Sequence, residues 1–240
     1  MQANEHNSCR IGRRPDNQGP RPQLRNLGWV GKSATGTTTG ATGETEERLR
    51  PAKDIIKIGT WNVQTLWSTG KLELLRREIE PYECDILGLA EVRWTGQGEM
   101  NGREIIWSGE EKEHRKRAKG ALMEYQPVNS RITAARFRAN PINIAVIQIY
   151  APTADSTDEE IECFYEQLED TMAGIPKKDI KLIMGDRNAM VGKENAGWEM
   201  AMGRYGYGER NERGERLLEF CHHLGLFYRG RCPVCCDIQR

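Results

Sequence analysis

Long apolar runs are missing from this chain. Nowhere in its 240 residues does an uninterrupted apolar stretch approach the ~18 residues a membrane-spanning helix requires, so no membrane partner is expected. The opening residues, MQANEHNSCRIGRRP, lack the apolar core of a secretory signal. An excess of one charge is lacking too, because 35 Lys and Arg face 35 Asp and Glu. That balance excludes the whole-chain basicity of many nucleic-acid binders and leaves room only for a local patch. Cysteine is odd in number, seven in all, and Cys221, Cys232, Cys235 and Cys236 crowd the last twenty residues. This is not the framework of a small disulfide-stapled domain, so an intracellular, reducing setting is expected. With 38% hydrophobic and 29% charged residues, the composition is that of a globular chain and excludes collagen or a coiled coil.

What is there divides into three parts. Residues 1–53 carry almost no apolar periodicity and run through text such as SATGTTTGATGETEE, so a disordered tail is expected. Residues 54–226 alternate strand-like and helix-like runs. Ile55 to Thr60, Asp85 to Ala90, Arg103 to Trp107, Arg131 to Arg138, Ile142 to Tyr150 and Asp179 to Met184 read as strands. Ile142 to Tyr150 is apolar on both faces and so belongs inside a sheet. Lys71 to Glu80 reads as a helix that Pro81 stops, Asp158 to Met172 as an amphipathic helix on Ile161, Phe164, Leu168 and Met172, and Arg213 to Leu224 as a third. Strands separated by helices predict a layered α/β domain. Residues 227–240 read as an unrelated Cys-rich tail.

The informative feature is where polar residues fall. Asn62, Glu91, Tyr150 and Asp186 each end an apolar strand-like run, and layered α/β folds gather ligands and catalytic groups at strand ends. Each has a plain reading alone: Gly185-Asp186 as a turn, Glu91 as a solvated loop residue, Tyr150 as a core cap, Asn62 as a local turn former. Their order makes the set informative. Thr60-Trp61-Asn62, Leu89-Ala90-Glu91, Ile149-Tyr150-Ala151-Pro152 and Gly185-Asp186-Arg187-Asn188-Ala189 resemble the motif series of the endonuclease–exonuclease–phosphatase superfamily. The linking text VQTLWSTGKLELLRREI, INIAVIQIYAPT and GERNERGERLLEFC is similar to the endonuclease domains of LINE-type retrotransposons, from about Ile55 to about Leu226.

That resemblance implies a four-layered α/β sandwich with two packed sheets, and hydrolysis of a phosphodiester bond assisted by Mg²⁺ or Mn²⁺. It places the metal on Glu91 with Asn62 beside it. Tyr150 would polarise near the scissile phosphate, Asp186 would orient or deprotonate the attacking water, and Asn188 would bond the phosphate or the nucleophile. Hard carboxylate oxygens suit such a cation. DNA is the implied partner, a monomer the implied state, and the nucleus the implied site if chromosomal DNA is the substrate.

Departures from the pattern shape the expectation. Arg187 stands where the family usually has an apolar or aromatic residue. No Ser-Asp-His occurs, the histidines being His6, His114, His222 and His223. One inner strand region before Gln126 and the C-terminal strands are expected to be missing. The chain therefore reads as an incomplete, retrotransposon-derived endonuclease-type domain with impaired or no activity. The alternative is a non-catalytic nucleic-acid- or protein-binding remnant of the same fold. Arg115, Lys116, Arg117 and Lys119 read first as a solvated loop flanked by Glu110, Glu111 and Glu113. The lone CxxC of Cys232 to Cys235, with Cys221, His222 and His223 upstream, lacks the second spaced pair that would mark a zinc site.

Overall fold

The computed structural model describes residues 27–31, 56–82, 84–94, 98–100, 105–108, 116–117, 121–203, 206–229 and 235–238. Two sheets form among them. The first contains β1 (Leu27–Gly31), β2 (Ile56–Asn62), β3 (Ile86–Ala90), β4 (Gly98–Met100), β5 (Ile105–Ser108) and β11 (Cys235–Ile238), in the order β11-β2-β3-β1-β5-β4. The second contains β6 (Lys116–Arg117), β7 (Leu122–Pro127), β8 (Ile132–Phe137), β9 (Ile144–Tyr150) and β10 (Ile180–Asp186), in the order β10-β9-β8-β7-β6. Each sheet holds one parallel pair, β2 with β3 and β9 with β10.

Period-two side-chain alternation builds the layers. Along β3, Ile86 enters the core between the sheets, while Leu87 and Leu89 turn outward onto Leu75 of helix α1 (Lys71–Ile79). Along β9, Ile144 and Val146 face the other sheet, while Ile147 and Ile149 face outward under α2 (Asp158–Ala173) and α3 (Glu212–His223). Helix, sheet, sheet, helices is the four-layered sandwich that the motif order implied. The α2 stripe is the one read from spacing, with Ile161, Phe164, Leu168 and Met172 all buried. Thr157 caps that helix by accepting the Glu160 N–H, and Asp158, Glu159 and Glu160 suit the positive end of its dipole.

One polar contact crosses the core. The Gln148 amide, fully buried, donates to Thr60 Oγ1 at 3.0 Å, and the Thr60 hydroxyl faces Gln148 Oε1 at 3.3 Å. The room for it comes from Gly88, where an added Cβ would lie 2.1 Å from Gln148 Oε1.

Two segments that the sequence reading assigns to the tails enter the first sheet. Leu27–Gly31 lies between β3 and β5, antiparallel to both, and Cys235–Ile238 pairs antiparallel with β2. Strand β3 is buried at every residue, so its second edge must find hydrogen-bond partners within the protein. The short apolar run LGWVG supplies them, although its five residues are too few to show a period. The rest of residues 1–53 lies outside the described residues. Before Gln126, where an inner strand region is expected to be missing, the segment ALMEY (121–125) lies largely within β7, which bonds β8 on one side and β6 on the other. Of the basic cluster at 115–119, only the backbone of Lys116–Arg117 is described.

The second sheet is tied to the α2–β10 connection by an ion pair. The Arg136 guanidinium donates to both oxygens of Asp179, whose side chain is 1% exposed against 20% for Arg136. That contact holds the Arg136 pKa above its ordinary value. Removing one partner of a buried pair leaves the other charge uncompensated. Asp179→Asn is expected to lower unfolding free energy by about 3 kcal/mol, read from urea denaturation. A change under ~0.5 kcal/mol, the size usual for a surface substitution, would contradict this reading.

Candidate phosphodiester site

The two parallel strand pairs end at the same edge of the sandwich. In the first sheet Asn62 is level with Ala90, one residue before Glu91; in the second Asp186 is level with Tyr150. Asn62 joins the pairs. Its side-chain NH₂ donates to Glu91 Oε1 at 3.1 Å and to Asp186 Oδ2 at 3.4 Å, and its Oδ1 accepts the Gln64 N–H at 3.0 Å. The Gln64 contact fixes which end of the amide is oxygen. Two carboxylates, from residues 95 positions apart in sequence, thus meet at one amide.

Asp186 is held from both sides. Its Oδ1 accepts the Asn188 N–H at 3.2 Å, and its main-chain carbonyl accepts the Ala151 N–H at 2.8 Å. Gly185 makes this approach possible, because its φ is 125° and an added Cβ would lie 2.0 Å from the Ile149 carbonyl oxygen. Asn188 donates through its side chain to the Ala151 carbonyl at 2.7 Å, so one of its amide hydrogens braces the Tyr150–Ala151 turn. Tyr150 is buried beside Ala90, at 3% exposure, with the Arg131 guanidinium 5.8 Å from its ring centroid.

Of the five residues singled out from sequence, Asn62, Glu91 and Asp186 touch directly, and Asn188 adjoins them through Asp186. Tyr150 is next to the group, on the core side. Arg187 turns away, with its guanidinium 4.8 Å from the Tyr228 ring centroid, so the unusual residue between Asp186 and Asn188 packs outside the cluster. Sequence reasoning passed over Arg93, which donates to Glu91 Oε2 at 2.8 Å. The signal was present: opposite charges two positions apart just beyond a strand.

The backbone around the cluster is strained. Among the described residues, the non-glycine positions with positive φ are Gln64 (53°), Thr65 (154°), Glu91 (57°), Arg93 (60°) and Asn188 (46°). All lie on the loops that carry the cluster. Left-handed backbone costs a side chain about 1–3 kcal/mol and tends to persist where a site requires it.

The donor set fits a hard divalent cation. Two carboxylates converge on the Asn62 NH₂, whose own oxygen is turned to the Gln64 N–H, and Mg²⁺ is commonly held by one or two carboxylates while retaining several waters. No group of three or more His, Cys, Asp and Glu side chains suited to a metal forms among the described residues. The Cys221–His223 segment is differently placed: the His222 ring meets Trp198 edge-on at 6.1 Å, and Cys221 is buried in the α2–α3 core. No helix among the described residues is long and apolar enough to cross a membrane.

Layers and strand-end cluster together define the class, a four-layered α/β sandwich with a polar cluster at its strand ends, the fold that the motif series implies. More particularly, the chain is similar to craniofacial development protein 2. It is 38% identical to that protein from Bos taurus over 208 residues, 82% of this chain and 34% of the relative. The protein from Tragulus javanicus is 36% identical over 208 residues, 82% of this chain and 35% of the relative. The chain therefore spans about a third of the length of the curated relatives it matches. No protein-family model matches it. A solved structure, the endonuclease domain of TRAS1, a telomere-specific non-LTR retrotransposon, is similar over 75% of this chain and 76% of its own. Its TM-score is 0.45 and its identity 16%, a likeness too loose to argue from.

Burial pushes the Cys221 thiol up to about 11, with Arg187 opposing the shift weakly. A thiol with a raised pKa stays protonated through neutral pH and is a poor nucleophile and metal ligand. Cys221 is expected to resist iodoacetamide at pH 8 in the folded chain and to react once urea unfolds it, read by peptide mass spectrometry. Rapid alkylation of the folded chain at this position would refute the placement.

Proposed function

We propose that this strand-end cluster is the cation- and water-handling part of a DNA phosphodiesterase site of the endonuclease type. The single observation that carries the reading is Asn62, whose amide brings the carboxylates of Glu91 and Asp186 together from two different sheets. Hydrolysis of a phosphodiester needs an activated water, neutralisation of charge on the phosphorus oxygens and support for the leaving oxygen.

Glu91 and Asp186, with Asn62 beside them, would hold a divalent cation such as Mg²⁺ or Mn²⁺. When bound, that ion neutralises phosphate charge and acidifies water. Asp186 is positioned to accept the proton of the attacking water, because the Asn188 N–H and the Asn62 amide orient its carboxylate. Asn188 keeps the Asp186 and Tyr150 strand ends at fixed separation through Ala151. Tyr150 lines the floor from the core side. DNA as substrate rests on the similarity of the motifs and linking segments to retrotransposon endonucleases. A chromosomal substrate would put the protein in the nucleus.

The 240 residues contain no Ser-Asp-His and so supply no imidazole of that kind to the phosphate. Losing one preorganised donor at such a site typically costs about 10²–10³ in rate. Turnover by this polypeptide alone is therefore slow. A second reading, nucleic-acid binding without turnover, draws on Arg93, which already balances one Glu91 oxygen.

Supercoiled-plasmid nicking by the purified chain with Mg²⁺ tests both. The expected result is nicking at least 100-fold below a full-length relative, abolished by Glu91→Gln, by Asp186→Asn and by EDTA. Nicking indifferent to both substitutions would overturn the site. No nicking, with retarded migration of DNA by the folded chain, would favour the second reading.

A further inference from the structure

Arg93 bonds the cluster directly, and its geometry is built rather than incidental. Glu91 and Arg93 are both left-handed, at φ 57° and 60°, and this double turn brings side chains two residues apart into contact. The Arg93 Nη2 lies 2.8 Å from Glu91 Oε2, while the other oxygen, Oε1, receives the Asn62 amide at 3.1 Å. The Glu91 side chain is 12% exposed and the Arg93 side chain 29%, so the pair is shielded from water on most sides.

We infer that Arg93 is a positioning residue that sets the cation affinity of this site. By bonding Oε2 it fixes the Glu91 carboxylate so that Oε1 faces the Asn62 amide. As a permanent positive charge it also opposes a second cation at the same carboxylate. The site is thereby kept from accumulating excess negative charge without metal and from binding metal too tightly. The planar fork of arginine also matches a phosphate oxygen pair, which gives Arg93 an alternative anion once a phosphodiester arrives.

The inference rests on the cation-binding reading above, and its signature has a sign that a structural role would not give: removing Arg93 tightens metal binding. Repulsion between a monovalent and a divalent cation roughly 5 Å apart at high dielectric corresponds to about tenfold in Kd. Free Mn²⁺ is measured by electron paramagnetic resonance during titration of the full 240-residue chain and of Arg93→Gln, Arg93→Gly, Arg93→Lys and Glu91→Gln. Arg93→Gly is included because glycine adopts φ near 60° without strain, so that variant should fold at least as well as the parent.

The expected result is Mn²⁺ binding that Glu91→Gln abolishes, tightened about tenfold by Arg93→Gln and Arg93→Gly and kept within about twofold of the parent by Arg93→Lys, which retains the charge. Unchanged or weaker binding in folded Arg93→Gln and Arg93→Gly overturns the role of Arg93 while leaving the metal site standing. Binding indifferent to Glu91→Gln overturns the metal site itself, and the inference with it. Failure of both charge-removing variants to fold, judged by circular dichroism, also overturns the inference, because the work of Arg93 would then be structural.

Discussion

The bond between Thr60 and Gln148 governs the geometry of everything above it. It crosses from one sheet to the other in the space that Gly88 leaves vacant, two residues before Asn62 on β2 and two before Tyr150 on β9. Residues two apart on a strand share a face. The pair therefore sets how far apart the sheets stand where Asn62 and Tyr150 emerge. A buried amide left unsatisfied costs about 1–3 kcal/mol, so slippage between the sheets is penalised at this point. Hydrophobic packing alone, being non-directional, would tolerate such a slip more readily.

Above that pin the chain accepts local costs. Among the described residues five non-glycine positions hold positive φ, and two carboxylates are held close together. The compensations are visible. Asn62 donates to both acids, Arg93 balances Glu91, and the Asn188 N–H and side chain tie Asp186 to Ala151. Gly185 lets β10 pass against the Ile149 carbonyl where any Cβ would collide. The arrangement is that of a preorganised polar site, its geometry supported from below by a rigid core.

The departures from the motif pattern have separate physical meanings. Arg187 is accommodated, because it stacks on Tyr228 and leaves Asp186 to Asn62 and Asn188. The 240 residues contain no Ser-Asp-His, and the two core layers close without one.

The sequence by itself determined strands β2, β3, β5, β8, β9 and β10, the three helices and the strand-end residues. Each depends on a local period: apolar runs ending at Asn62, Glu91, Tyr150 and Asp186, and the helical stripe of Ile161, Phe164, Leu168 and Met172. Motif order added the layered class. Only the tertiary structure decided which ends meet, because the Asn62–Asp186 contact depends on the packing of two sheets and not on any nearby residues. The same holds for Leu27–Gly31 and Cys235–Ile238, whose places at β3 and β2 answer to unpaired strand edges elsewhere in the chain. Arg93 belongs to that second group as well: its charge was legible, but its contact with Glu91 depends on two left-handed residues that no periodicity announces. Side-chain period specifies a face; hydrogen-bonded edges and inter-sheet packing specify the neighbour.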